Sequence, residues 1–199
     1  MPELFLEIGA EEIPARFMSL ALDYLEKEIP SFLKKNRIQA SEPRVMGSPR
    51  RLVISFDEVG NQQEDIVETH FGPNVKLAYD EKGTPTKSAL GFARGKGIDP
   101  SQLTLEKTPK GEVVCARIEK TGQPTATILN NFFPILISKI PFPKKMRWGN
   151  RETPFVRPLQ WIVALFGSKP LNFSYEGISC SDTSRGHRFM RSDFFKVNG

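Results

Sequence analysis

"EIGAEEIPARF", residues 7–17, is the stretch on which the reading of the fold turns. An apolar run (Leu4, Phe5, Leu6, Ile8) stops at Gly9 and meets the adjacent carboxylates Glu11 and Glu12. It restarts after Pro14 with apolar residues at helical spacing: Phe17, Leu20, Ala21, Tyr24, Leu25, Ile29, Phe32 and Leu33. "ELFLEIG" therefore reads as a buried strand and residues 14–36 as an amphipathic helix. Paired glutamates serve either as general acid and base or as the start of a helix. Pro14 suits the first helical turn, where its missing N–H costs nothing, and a carboxylate there faces the positive end of the helix dipole. The helix start accounts for both glutamates without catalysis. Pro30 is expected to kink or end the helix, leaving "SFLKKN" as a separate turn or a bent continuation.

Working outward, "RRLVISFDEVG" (residues 50–60) alternates like a strand before a glycine break. "TPTKSALGFARGKG" (84–97) reads as a helix of about three turns, capped by Thr84 or Thr86, packed through Leu90 and Phe92, and stopped by Gly95 to Gly97. Residues 102–120 form a hairpin signal, two alternating runs about a Pro-Lys-Gly turn. A second amphipathic helix fits 124–138, where Pro134 demands a bend. "FVRPLQWIVALFG" and "KPLNFSYEGI" add two strands. The expected class is α+β: mixed, largely antiparallel sheets with packed helices in two subdomains. "IPFPKKMRWGNRETPF" (140–155), rich in proline and charge, is the candidate boundary, giving 1–140 and 141–199 as the two parts.

Charge is unevenly spread along the 199 residues. Residues 1–30 hold seven acidic and two basic side chains, whereas residues 139–199 hold four and eleven. A basic C-terminal third is the footprint of a partner carrying phosphates, and a solvated basic face gives the same count. Cys115 and Cys180 are isolated, with no C-x-x-C spacing and no neighbouring histidine, so a zinc site is not expected. The N-terminus lacks a basic region, and Glu3 and Glu7 interrupt its apolar run, unlike a signal peptide. The longest uncharged stretch, 121–138, contains two prolines, two asparagines and a glutamine, which does not suit a membrane span. A reducing cytoplasm is the simplest location.

Two apparent motifs fail. "GFARGKG" (91–97) has three residues, not four, between its first glycine and the Gly-Lys pair, and no Ser or Thr follows. His70 and His187 lack a serine or cysteine nucleophile at any recognised signature, so neither a catalytic triad nor any catalytic residue is assigned. His187, between Arg185 and Arg188, sits in a basic setting that suits a structural or phosphate-facing role better than a metal ligand. "PKKMRWGNRETPFVRP" (143–158) survives, with Lys144, Lys145, Arg147, Arg151 and Arg157 against one acidic residue, Glu152, and Trp148 among them. Arg and Lys neutralise phosphates, and an indole stacks on a base. Spacing alone leans to the other reading, in which Trp148 and Phe155 anchor a core and the charges solvate a loop.

Five strings, in order, carry a resemblance: "LFLEIGAEEIPARF", "SPRRLVI" (48–54), "GPNVKLAYDEKGTPTKSALGFARGKG" (72–97), "KKMRWGNRETPFVRPLQWIVALFG" (144–167) and "TSRGHRF" (183–189). Together they resemble the β subunit of bacterial glycyl-tRNA synthetase across essentially the whole chain. The resemblance implies part of a ligase that joins glycine to tRNA(Gly) with ATP and Mg2+, both used on a separate alpha subunit in an α2β2 assembly. It implies tRNA recognition and alpha-subunit contacts for this chain, no cofactor or metal of its own, and no catalysis by it alone. Lys144, Lys145, Arg147, Trp148, Arg151, Arg157, Arg185, His187 and Arg188 are then the candidate tRNA-binding residues. Family members run several times longer, into an HD-type and an anticodon-binding domain, so an N-terminal fragment is expected. Residues 141–199 would open a domain similar to the B3/B4 module of phenylalanyl synthetase. That likeness keeps a hydrolytic editing domain as one alternative, with a purely structural scaffold as another. Glycine is the smallest substrate, so steric exclusion leaves little need for a second sieve.

Overall fold

In the computed structural model, which describes residues 1–80, 82–109, 111–150, 152–190 and 193–198, the apolar run Leu4–Ala10 is a strand, β1. It is followed by α1 (Ala15–Lys35), β2 (Pro43–Ser48), β3 (Arg51–Phe56), β4 (Ile66–Asn74), α2 (Val75–Ala78) and α3 (Lys87–Lys96). Next come β5 (Thr104–Thr108), β6 (Gly111–Lys120), α4 (Thr125–Lys139) and β7 (Leu159–Phe166). Short strands complete the chain: β8 (Lys169–Pro170), β9 (Ser174–Tyr175), β10 (Ile178–Ser181), β11 (Thr183–Arg185) and β12 (Phe194–Lys196). The fold is α+β, with mostly antiparallel pairing.

The chain divides into two compact units, residues 1–63 with 123–199, and residues 64–122. Position 140/141 lies inside the first unit. There, Phe142 and Phe155, from the proline-rich stretch, are both buried and meet edge-on with ring centroids 5.0 Å apart.

The first unit is built on a seven-stranded sheet in the order β2-β3-β1-β7-β10-β9, with β8 on β7. Strand β1 pairs antiparallel with both β3 and β7, and β10 runs parallel to β7. Period-2 alternation gives β1 two different faces. Leu4, Leu6, Ile8 and Ala10 join the main core, together with Leu52, Ile54, Phe56, Ile162 and Ala164. Trp161, Val163 and Leu165 form a smaller cluster that Phe5 packs against.

Helix α1 buries Phe17, Ala21, Leu25, Ile29 and Leu33, one residue per turn at i, i+4 spacing. It runs on through Pro30, so of the two expectations "SFLKKN" continues the helix rather than forming a separate turn. An internal proline costs about 3 kcal/mol, but burying Ile29 and Leu33 returns about 1.5–3 kcal/mol each. Phe32, on the same final turns, stacks on Phe132 of α4 with ring centroids 3.5 Å apart. Helix α4 likewise runs on through Pro134, with Ile128, Leu129, Phe133, Leu136 and Ile137 buried. "KPLNFSYEGI" is not one strand: β8 and β9 have two residues each, with Leu171 between them turned into the core.

The second unit is a three-stranded antiparallel sheet, β4-β6-β5, with a small core of Ala78, Ala89 and Val114. The expected hairpin is β5–β6, and the expected helix is α3. Helix α3 ends at Gly97, whose φ of 70° is the left-handed conformation that glycine adopts without a Cβ penalty. Thr86 holds the cap position, but its hydroxyl donates to the Leu77 carbonyl instead of capping. Leu90 is exposed rather than packed.

Candidate nucleic-acid interface

In the middle of β1 the sheet carries a buried carboxylate. Glu7 is 4% exposed and faces the β7 side of the second surface, where Trp161 Nε1 and Ser184 Oγ each donate to its Oε1 at 2.5 Å. Arg51, on β3, brings a guanidinium nitrogen to 3.7 Å from Glu7 Oε2 and also donates to the Arg185 carbonyl. Arg50 and Arg51 both lie over the Trp161 indole, 5.7 and 5.5 Å from its centroid. Gly9 makes this stack possible. A Cβ there would sit 2.1 Å from the Trp161 ring, so only glycine lets the indole lie flat on β1. This is why the apolar run stops at a glycine.

Beyond Gly9 the register slips between Gly9 and Ala10, and the chain leaves the sheet. Glu11 N–H donates to the Pro158 carbonyl at 3.0 Å, and Ile13 N–H to that of Pro49 at 2.6 Å. Helix α1 then begins at Ala15 with Pro14 as its cap, and its first turn holds no acidic residue. The dipole account of Glu11 and Glu12 is thus replaced by an ionic one for Glu11. Its carboxylate is 3.5 Å from Arg50 and 4.0 Å from Arg188. The Glu12 carbonyl accepts from Arg157 Nε at 3.0 Å.

Two adjoining cavities open here, sharing Glu12, Ser48 and Pro49 in their walls. One, of about 350 Å3, is lined also by Arg50, Arg51, His187, Arg188 and Phe189; the other, of about 480 Å3, includes Arg157, Pro14 and Met18. The turn after β11 is fastened by the Ser184–Glu7 and Arg51–Arg185 bonds and by antiparallel pairing of β11 with β12. An ion pair of 3.0 Å between Lys196 and Asp182 adds to this, and the Lys196 hydrogen bond holds the Asp182 carboxyl below its ordinary range. Within the turn, His187 Nδ1 accepts N–H groups of Phe189 and Met190, each at 3.3 Å. Its ring proton therefore resides on Nε2, as a donor.

The sequence-derived candidates separate into two sets. Arg157, His187 and Arg188 line the two cavities beyond β1, whereas the Arg185 guanidinium lies over the Phe194 ring at 5.2 Å and lines neither. Lys144, Lys145, Arg147 and Trp148 belong to the loop before β7, and Arg151 lies outside the described residues. In that loop, Trp148 Nε1 donates to the Phe155 carbonyl at 3.0 Å across the Met146–Phe155 bridge, so the indole anchors the loop. Lys145 Nζ reaches the Ser138 carbonyl at the end of α4, at 3.4 Å, and burial pulls its pKa below the ordinary lysine range. Lys144 and Arg147 are exposed. Sequence reasoning missed Arg50, Arg51 and the buried Glu7. The available signal was a carboxylate at the centre of an otherwise apolar strand.

The family model described as glycyl-tRNA synthetase beta subunit matches residues 4–199. The chain belongs to this family. It is 46% identical over 195 residues to the glycine–tRNA ligase beta subunit of Geotalea uraniireducens (strain Rf4), covering 98% of this chain and 28% of that protein. The same-named protein of Citrifermentans bemidjiense is 47% identical over 195 residues, and that of Geobacter metallireducens 43% over 197. The chain thus spans under a third of the length of these curated relatives.

Four of the five strings that carry the family resemblance converge in the first unit on one place. They supply Glu7 with Glu11 and Glu12, then Arg50 with Arg51, then Arg157 with Trp161, and finally Ser184 with Arg188. The fifth, residues 72–97, lies in the second unit. The groups that could serve hydrolysis are differently placed. Burial pushes the Cys180 thiol up to about 11, so it is not a thiolate at neutral pH. His70 is paired with Glu68 at 3.3 Å. Among the described residues no three His, Cys, Asp or Glu side chains gather to hold a metal ion, and no helix is long and apolar enough to cross a membrane.

Proposed function

We propose that this chain supplies tRNA-contacting surface, and contacts to a separate alpha subunit, within a cytoplasmic glycine–tRNA ligase of α2β2 assembly. Glycine activation with ATP and Mg2+ belongs, on this reading, to the alpha subunit. Membership of the beta-subunit family supports the context. The observation that carries the tRNA assignment is the gathering of Arg50, Arg157, His187 and Arg188 about two adjoining cavities. Guanidinium groups match phosphate geometry through paired donors, and these residues line the walls of the two cavities. Lys144 and Arg147, exposed on their own loop, add a second basic surface, while Lys145 and Trp148 hold that loop in shape.

Each phosphate contact releases counterions, so the salt dependence of binding counts the contacts. In the assembled enzyme, replacing Arg157 and Arg188 with Ala is expected to weaken binding of tRNA(Gly). It should also flatten the plot of log affinity against log salt by about 1.4–1.8 units for two contacts. Glycine and ATP binding should stay unchanged. An unaltered salt slope in fully assembled double mutant would remove the tRNA assignment from this site. The chain alone should give no glycine-dependent ATP–pyrophosphate exchange.

A further inference from the structure

The 350 Å3 cavity between the β2–β3 turn and the turn after β11 has a composition more specific than a basic patch. It combines an exposed aromatic ring, donors suited to an anion, and a carboxylate. Phe189 is 85% exposed, an unusual placement for phenylalanine, and it lines the opening. Its ring is flanked by the Arg188 guanidinium at 5.7 Å and the His187 ring at 6.1 Å. The Arg50 side chain is only 15% exposed, and its Nε is buried without a hydrogen-bond partner among the described residues. The Arg50 guanidinium, held 3.5 Å from Glu11 and lying over the Trp161 indole, is fixed in place on the cavity wall. Glu11 is shared between Arg50 and Arg188 at long range, so one carboxylate faces two cations. Glu12, exposed on the cavity wall, forms no ion pair among the described residues.

We infer that this cavity holds one unpaired ribonucleotide. The base stacks on Phe189, the phosphate takes donors from Arg50, His187 Nε2 and Arg188, and the Glu12 carboxylate accepts a ribose hydroxyl. The inference rests on the tRNA reading above and narrows it from a charged surface to a single-stranded subsite. A duplex presents only phosphates and groove edges, and would leave the Phe189 face without a partner. Splayed bases of single-stranded RNA are instead recognised by stacking on aromatic rings, and the 2′-hydroxyl distinguishes RNA from DNA. The cavity volume falls within the roughly 300–1,000 Å3 of small-ligand sites.

The test titrates the 199-residue chain against four fluorescent probes: tRNA(Gly), a single-stranded RNA octamer, the DNA octamer of the same sequence, and a blunt RNA duplex. The RNA octamer should bind more tightly than the DNA octamer or the duplex. Phe189→Ala should weaken octamer binding by about 5- to 150-fold, the range of single-base stacking on an aromatic. Phe189→Tyr should retain it, and Glu12→Gln should narrow the RNA-over-DNA preference. Phe189 is exposed, so circular dichroism and the thermal midpoint should not change, which separates lost binding from lost fold. If tRNA binds but Phe189→Ala and Arg188→Ala leave octamer affinity intact, the nucleotide subsite is wrong while the broader tRNA reading stands. If the folded chain binds no octamer, the nucleotide subsite falls, while the tRNA reading is decided separately by the salt slope of the assembled enzyme. If Phe189→Ala instead loosens association with the alpha subunit at unchanged RNA affinity, the ring belongs to a protein contact and the inference is overturned.

Discussion

Lys144 and Arg147 stand in solvent on a loop, whereas Arg50, Arg51 and Arg188 each meet a carboxylate on or just after β1. The two stretches look alike on paper, both being short basic runs near an aromatic. Their aromatics are used differently. Trp148 turns its N–H to its own loop's backbone, while Trp161 lies under two arginines and bonds a buried glutamate. The comparison teaches that charge density does not distinguish a solvated cation from a positioned one. The carboxylates underneath do, because a guanidinium held in place loses less side-chain freedom when a ligand arrives.

That contrast can be broken most directly at Glu7. Glu7→Ala leaves the Arg51 guanidinium, the Trp161 N–H and the Ser184 hydroxyl without their shared acceptor. Loss of a buried partner of this kind costs about 2–4 kcal/mol, taken toward the lower end because a quarter of Arg51 is exposed. Urea unfolding measures it, and a loss under 1 kcal/mol would mean that the site is not organised around this carboxylate. Gly9→Ala comes next. The added methyl meets the Trp161 ring, and overpacking of this sort costs about 1–3 kcal/mol. A thermal midpoint equal to that of the parent would show that the indole does not rest on β1.

Glu11→Gln sharpens the comparison at a lower level. Its pairs with Arg50 and Arg188 are long and partly solvated, so stability should fall by at most about 1 kcal/mol. Freed of Glu11, the two arginines should bind tRNA as well as before or better, read by a binding titration; markedly weaker binding would assign Glu11 a direct contact. The smallest effect is expected in the loop. Lys144→Ala with Arg147→Ala should shift stability by less than about 0.5 kcal/mol, since neither side chain is buried. A larger loss by denaturant unfolding would put this loop in the same class as the β1 end.

Much of the architecture was readable from periodicity. Strand β1, α1, the β5–β6 hairpin, α3 with its Gly97 stop, α4 and β7 follow from local alternation or helical spacing. At Pro30 the sequence left open whether the helix ends or continues, and burial of Ile29 and Leu33 across the molecule decides for continuation. The candidate site was half legible. Arg157, Arg185, His187 and Arg188 stood out by charge, but Arg50 and Arg51 looked like the ordinary start of a strand. Glu7 looked like an interruption.

By itself the sequence determined the α+β class, the longer helices and several of the strands and, through five ordered strings, the family. These are properties of neighbours along the chain: period, turn chemistry and motif order. Only the tertiary structure decided that Glu7, Arg51, Trp161 and Ser184 form one buried network. It also decided that Glu11 answers to arginines 39 and 177 residues away rather than to the helix that follows it. The physical reason is that β1 pairs with β3 on one side and β7 on the other. That pairing brings residues 51 and 161 to Gly9 at the cost of closing long loops, a contact that no local pattern encodes.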